Sequence, residues 1–438
     1  MAIKPKILVR AGFNPLLKYS PIDYMSKNIV GHNVGNLIYA YGVMNVLWTE
    51  QVVIDQIYDK NKFTDVEADF INDNYNAFVI PLADAFRTQY IPYLKAYTSL
   101  INKLKIPVIV IGVGLRTTYE PKFDTDLELN RVVKDFVTAV LNHSSKLGLR
   151  GGITGHYLKY LGFKEDRDYI PIGCPSLYMY GNDIKLRSVS SLLNNLKESK
   201  LLVNTNMWAK NLLGKYTSYI DDFMKSAIDL IPNHFLIQQT IQELKYLYLG
   251  KIYSQNIRLV SIFTDREFQM LHKEDRVKWF TDVPSWIKFC FDADLIVGNR
   301  FHGTVAAILA GTPHIFLPID GRTRELSDYH HFTTIPFHNL HSHSNFDDYF
   351  SKLDFHSFER YHNYNFENYI DFLNSNGLDH IFNVQKNYKF GESFMEKQVP
   401  ITVKPISCME SLSYFERVIR LLSCLPYVFH KAISTVSR

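Results

Sequence analysis

DLIVGNRFHGTVAAILAGTPHIFLPID, residues 294–320, reads as a strand, a tight turn, a short helix and a second strand. Leu295 to Val297 is a continuous apolar run, the kind buried on both faces of a parallel sheet. Gly298 to Gly303 makes the turn, Thr304 to Ala310 an apolar helix, and Gly311 ends it before Pro313 introduces the next strand. Such a unit leaves free backbone N–H groups and a positive dipole end at the carboxyl edge of the sheet, where an anion is stabilised. Arg300 adds a planar fork suited to carboxylate or phosphate, and His302 a group that exchanges a proton near neutral pH. Two arrangements satisfy this pair. Both side chains serve an anionic ligand that needs protonation, or Arg300 pairs with a core acid such as Asp294 while His302 caps the helix.

Upstream, short apolar runs at Ile7 to Arg10, Ala77 to Pro81, Val108 to Gly112 and Leu147 to Arg150 alternate with helical segments at Asn36 to Leu47, Tyr90 to Leu104 and Leu127 to Asn142. The loops that follow strands, Gly31 to Asn36, Gly112 to Thr118 and Arg150 to Thr154, are where an open α/β sheet binds ligands. A polar stretch between Tyr180 and Lys200 separates this half from a second pattern. Its strands are expected at Leu201 to Asn204, His234 to Gln238, Leu259 to Ser261, Leu295 to Gly298 and His314 to Pro318, with a helix from Asp282 to Ala293 capped by Asp282. The expected fold class is α/β: two facing Rossmann-like domains, 1–190 and 191–385, and an extension, 386–438. The active site then lies in the interdomain cleft. Arg150 ends a strand of the first half, while Arg322 and Arg324 follow the last strand of the second. Cations brought together repel unless an anion joins them.

A formal net charge of +4 spread over 438 residues is too weak a field to argue for nucleic acid. The four cysteines, Cys174, Cys290, Cys408 and Cys424, stand far apart without zinc spacing, which fits a reducing compartment. Cys174 reads as a small buried residue, and His156 as a surface one. Without a signal-peptide core at the N-terminus or a span of ~18 apolar residues, a soluble cytoplasmic protein is expected, at most peripheral at the inner face of the membrane. That peripheral contact would run through 409–438, where Leu412, Phe415, Val418, Ile419, Leu422 and Leu425 recur at helical spacing beside Arg417, Arg420, Lys431 and Arg438. The other role for this helix is to pack on the domain as a closing element, interrupted at Pro426.

Four pieces, in order, resemble the polysaccharide pyruvyl transferase family over roughly residues 28–330. They are the NVGN turn, Asn33 to Asn36; Arg150 with Thr154 in LRGGITGHYLKYLGF; the IPIGCPSL segment, Ile170 to Leu177; and the R-x-H-G turn of Arg300, His302 and Gly303. The resemblance implies a GT-B-like pair of domains and transfer of pyruvyl from phosphoenolpyruvate to a sugar as a ketal, with phosphate released. No metal and no cofactor beyond the donor is implied. In that reading His302 donates a proton, and Arg150, Arg300 and Arg322 bind carboxylate and phosphate, with Arg324 able to close over the same anion. The backbone at Gly303 and Thr304 holds one anionic group. Asn33, Asn36 and Arg116, with His32, contribute to substrate binding on the first-domain side, and Asn204 and Asn206 line the cleft. Arg300 is expected to lower the pKa of His302 and the bound substrate to raise it. Two departures stand out: Arg322 replaces the Lys often found twenty residues after the His, and GVGLRTT, Gly112 to Thr118, differs from the common GQG form.

Three other readings compete. A nucleotide-sugar glycosyltransferase of the same fold would use an acid, for which Glu325 is the candidate, to hold a ribose. A non-catalytic glycan-binding protein would keep the fold without the chemistry. A metal protein would use His330, His331, His338, His341 and His343, which the irregular spacing instead places on a solvent-facing or cleft-edge loop.

Overall fold

A computed structural model describes residues 4–27, 29–190, 192, 195–205, 213–250, 262–399 and 404–425. The expected strand at Leu259 to Ser261, Asn206, and the chain beyond Leu425 lie outside the described residues.

In the first lobe, β1 (Lys6–Arg10), β2 (Val53–Ile57), β3 (Ala77–Pro81) and β4 (Val108–Ile111) form a parallel sheet in the order β2-β1-β3-β4. β5 (Leu147–Leu149) and β6 (Tyr169–Pro171) pair in parallel, and a bridge from Val113 to Leu149 joins them to the β4 edge. Side chains alternate across the sheet. Ile7, Val9, Val79, Ile109 and Ile111 face one core, and Leu8, Phe78, Ile80 and Val110 face another.

The second lobe carries β7 (Leu201–Asn204), β8 (His234–Ile237), β9 (Val277–Lys278), β10 (Leu295–Gly298) and β11 (His314–Phe316), parallel in the order β11-β10-β7-β8-β9. The chain runs outward from β7 to β9, then returns to the other side of β7 as β10. This is the Rossmann order, and it places the switch point between β7 and β10, where ligands bind at carboxyl ends of strands. Gly298 pairs there with Asn204, and a Cβ on Gly298 would stand 1.8 Å from the Asn204 carbonyl oxygen. Two facing Rossmann-like lobes give the GT-B-like arrangement.

Between the lobes runs the helix Gly35–Leu47, buried at every position except Asn36. It is apolar all round because it meets both lobes: it packs on the helix Phe301–Leu309 on one side and on the short Pro175–Tyr178 turn on another. One apolar core therefore continues from the first sheet through this helix into the second lobe.

The helix in the quoted stretch starts at Phe301, not Thr304, so His302 and Gly303 belong to its first turn. β2 and β9 are strands that periodicity did not reveal, being half-buried and only two residues long, respectively. Residues 357–399, assigned from sequence to the second domain and its extension, pack back on the first lobe. Ser145 bonds to Ser375 and Asn376, Ser393 to Asn45, and Glu396 to Tyr41 and Tyr180.

Candidate active site

Arg300 is only 6% exposed, and two of its three guanidinium nitrogens are engaged within the protein. Nη2 lies 2.9 Å from Glu243 Oε1, Nε donates to the Thr205 carbonyl at 2.5 Å, and its backbone N–H donates to Asn204 Oδ1. Glu243 in turn accepts from the backbone N–H groups of Gln239 and Thr240 at the start of the helix Ile241–Leu249. This corrects two expectations. Arg300 pairs with a core acid rather than presenting its fork to the cleft, and that acid is Glu243; Asp294 instead accepts from the Lys200 backbone. Arg300 fixes the turn from within and is a positioning residue. Glu243→Gln keeps an acceptor but leaves the guanidinium uncompensated. We expect it to lower unfolding stability by roughly 2–3 kcal/mol in denaturant titration.

His302 is 9% exposed and points toward the first lobe. A Cβ on Gly35 would stand 2.7 Å from His302 Nδ1 and 3.0 Å from Asn33 Oδ1, so the NVGN turn wraps the imidazole with no room for a side chain at Gly35. Asn33 Oδ1 accepts from the Gly35 N–H, and the turn bonds across to the second lobe, Val34 N–H to the Gln239 carbonyl. Asn36 is exposed and its amide donates to the Val30 carbonyl, away from this contact. On the other side of the ring, His302 Nε2 is 4.0 Å from Cys174 Sγ. Cys174 is fully buried, as expected, but sits beside an imidazole that its sequence neighbourhood did not reveal.

The thiol is held up by burial, against the pull of Arg150. Burial holds the His302 pKa well below its ordinary value, with Arg150 and Arg322 lowering it further and Asp84 opposing them. Arginines depress this imidazole as expected, but they come from different loops than Arg300.

Arg150 is 1% exposed, at the end of β5. Its guanidinium stacks on the Tyr39 ring at 5.2 Å, while Nε and Nη2 have no hydrogen-bond partner. Arg322 reaches Asp320 at 3.3 Å through Nη2, and its buried Nε is likewise unpartnered. Buried guanidinium donors are nearly always satisfied in folded proteins, so these two groups beside one imidazole leave donors that an anion could take up. Arg324 diverges: it donates to Glu120 and to the Tyr119 carbonyl and lies over the Tyr119 ring, outside this group. Gly303 packs beneath Asn204 and the unpartnered amide nitrogen of Gln239. The Thr304 backbone N–H donates to the Arg300 carbonyl at 3.3 Å, which corrects its assignment to an anion; no side chain caps this helix, so its N–H groups open to a ligand are earlier, at Phe301 to Gly303.

Asp84 follows β3, and in sequence it is only an acid just past a predicted buried strand. Burial favours its neutral form, but Arg322, Arg87, Arg150 and Arg116 overcome that and bring its pKa down to about 2. Arg87 lies 2.9 Å away, and Arg116, which is 57% exposed, 4.0 Å away. The preceding Ala83 has a φ of 46°, a left-handed conformation rare for a residue with a Cβ. The carboxylate therefore holds the arginine cluster together at the cleft.

Glu325 also departs from expectation. Both its oxygens accept from Thr154, one from the backbone N–H and both from the hydroxyl, at 2.8–2.9 Å. A second-lobe acid thus caps the first-lobe helix Gly152–Tyr160, which has no side-chain cap of its own, and is not free to hold a ribose. Burial pushes the Glu325 pKa up to about 7 from 4.5, outweighing Thr154 and Arg150. A raised carboxyl contributes stability that is complete below pH 4.5 and lost as pH rises through 7. The protein is expected to lose on the order of 3 kcal/mol across that window from this group, and Glu325→Gln to flatten the curve, as checked by unfolding titrations at several pH values.

The histidine-rich stretch splits. His338, His341 and His343 are exposed, but His330, expected at a solvent-facing or cleft-edge loop, is fully buried, with Nε2 accepting from the Cys174 backbone at 2.7 Å. His331 stacks on Tyr361. Among the described residues no three His, Cys, Asp or Glu side chains are grouped to hold a metal ion.

Several solved structures resemble this chain over most of its length. Methanocaldococcus jannaschii UDP-GlcNAc 2-epimerase, solved with UDP-GlcNAc and UDP, shares 14% identity over 96% of this chain and 99% of its own, with a TM-score of 0.41. S. aureus MnaA with UDP shares 10% over 90% and 94% (TM-score 0.38), and Burkholderia multivorans trehalose 6-phosphate synthase 10% over 86% and 94% (TM-score 0.37). At these scores the likenesses decide nothing, and the strand orders carry the fold. No curated protein matches the chain. The family described as polysaccharide pyruvyl transferase matches residues 33–321, about two thirds of the chain, from the NVGN turn through Arg150 and His302 to the helix that carries Arg322. The cleft arginines and the imidazole between them are thus those of a chain that belongs to the polysaccharide pyruvyl transferase family.

Proposed function

We propose that this protein transfers the pyruvyl group of phosphoenolpyruvate to a pair of hydroxyls on a sugar of a cell-surface polysaccharide or its precursor, releasing phosphate. The reading is carried by one observation: Arg150 is buried with two donors unpartnered, beside an imidazole whose charge the same arginine suppresses. A donor with both carboxylate and phosphate would satisfy Arg150 and Arg322 and reverse their effect on His302. The imidazolium then protonates the methylene carbon of the donor, leaving positive charge on the carbon that bears the phosphate. One sugar hydroxyl adds to that carbon, and its proton returns to His302. The carbon–oxygen bond to phosphate breaks as the second hydroxyl closes the ketal, and the second proton leaves with the phosphate. Arg150 and Arg322 stabilise the departing charge in a site largely closed to water. Arg300 supports the turn through Glu243, and Asp84 keeps the guanidinium groups in register until the donor enters.

The test is phosphate release from phosphoenolpyruvate with a panel of free and lipid-linked oligosaccharides, with product mass measured and nucleotide sugars run in parallel. Phosphate release with a pyruvyl mass increment on the acceptor supports the reading. Turnover of a nucleotide sugar, with none of phosphoenolpyruvate, overturns it.

A further inference from the structure

The helix Tyr414–Ser423 presents its two faces the wrong way round for a closing helix. Tyr414, Phe415, Ile419 and Leu422, with Leu425 just beyond, are 45–85% exposed. At 100° per residue they occupy an arc of about 140° without a charged residue. The opposite face is the one that packs. Arg420 lies over Tyr248 at 4.6 Å and donates to the Ser407 carbonyl, Arg417 donates to the carbonyls of Glu410 and Leu412, and Cys424 is buried. Tethered by its polar side, the helix cannot roll its apolar side onto the protein. It packs on the domain as a closing element does, but through its polar face, which leaves the apolar face exposed.

We propose that this face docks on an anionic membrane surface, lying in it without crossing. Among the described residues no helix is long and apolar enough to cross a membrane. The exposed arc is too small for a stable contact with a second copy: ten helical residues cover a strip of about 15 by 10 Å, whereas a stable dimer buries about 800 Å² on each partner. Shallow insertion needs no such area, only apolar side chains beside cations. The sequence that follows, PYVFHKAISTVSR, residues 426–438, supplies Tyr427, Val428, Phe429 and Ile433 with Lys431 and Arg438, and no acid. Arg417 and Glu416, on either side of the arc, are both exposed, so the excess of cations comes from Lys431 and Arg438 in the sequence that follows.

The position of this face suits chemistry at a membrane. Tyr248, under Arg420, belongs to the helix Ile241–Leu249, whose other end carries Glu243, the partner of Arg300. One helix of nine residues, about 13 Å, thus separates the docking face from the support of the site. A sugar carried on a membrane lipid would reach the cleft from there. The docking itself does not depend on the pyruvyl-transfer reading and is tested without turnover.

The full chain is to be floated with vesicles of phosphatidylcholine alone and of phosphatidylcholine with phosphatidylglycerol, at low and high salt. The expected result is flotation with the anionic vesicles, weakened by salt. Phe415→Glu/Ile419→Glu/Leu422→Glu should reduce vesicle affinity roughly 100-fold or more with an unchanged thermal midpoint, since these side chains touch little in the free protein. Flotation of the triple variant equal to the wild type overturns the proposal, as does absence of binding to anionic vesicles. Equal binding to uncharged vesicles overturns the anionic preference. A wild-type dimer that the triple variant makes monomeric, with no flotation by either, assigns the face to a second copy instead.

Discussion

His302→Gln is expected to lower kcat by roughly 10²–10⁴ while phosphoenolpyruvate still binds within a few-fold of the wild type. Glutamine fills a similar space against Gly35, so the turn around Asn33 should survive, but it cannot deliver a proton. The wild-type imidazole is neutral in the unliganded cleft, because burial, Arg150 and Arg322 all act against its charge. An anionic donor between those arginines reverses the balance, so donor binding should take up a proton near neutral pH. Calorimetry in buffers of different ionisation heat measures that uptake directly, and it should vanish in the variant. Wild-type kcat in His302→Gln, or proton uptake that persists, would remove the imidazole from the proton-transfer role.

Arg150→Met should behave differently, losing donor affinity without losing stability. Two charge-assisted hydrogen bonds to the donor, at about 1.5–3 kcal/mol each, correspond to roughly 100-fold or more in affinity. In the unliganded protein the same guanidinium is fully buried, with Nε and Nη2 unpartnered, the Tyr39 face below it, and the Asp84 and Glu325 carboxylates acting on it without a hydrogen bond. Methionine removes those unpartnered donors and keeps apolar contact with Tyr39. Asp84 remains balanced by Arg322, Arg87 and Arg116. The thermal midpoint should therefore hold or rise while binding collapses, the pattern of a group kept for function at some cost in stability. A variant that unfolds early yet retains donor affinity contradicts this assignment.

Arg150 and His302 stand out in the sequence because their local context is distinctive. Arg150 ends an apolar strand ahead of a helix, and His302 stands in the turn after another. Arg300 looked equally functional from the same turn, yet its fork is taken by Glu243, 57 residues away in sequence. No local pattern tells a fork that faces a ligand from one that faces a core acid. Glu325, the acid a glycosyltransferase reading would use, is hidden for the same reason: its partner, Thr154, belongs to the other lobe. Asp84 carried no motif, since its role comes from four arginines on four separate segments.

The sequence alone determined the alternation of strand and helix, the division into two α/β halves and the strand-end turns from which a site is built, since these follow from hydrophobic period and turn chemistry within short windows. Only the tertiary structure decided which charges meet which. Pairing, burial and the shift of a proton equilibrium depend on groups brought together across hundreds of residues, and electrostatic energy depends on distance and dielectric, not on order along the chain.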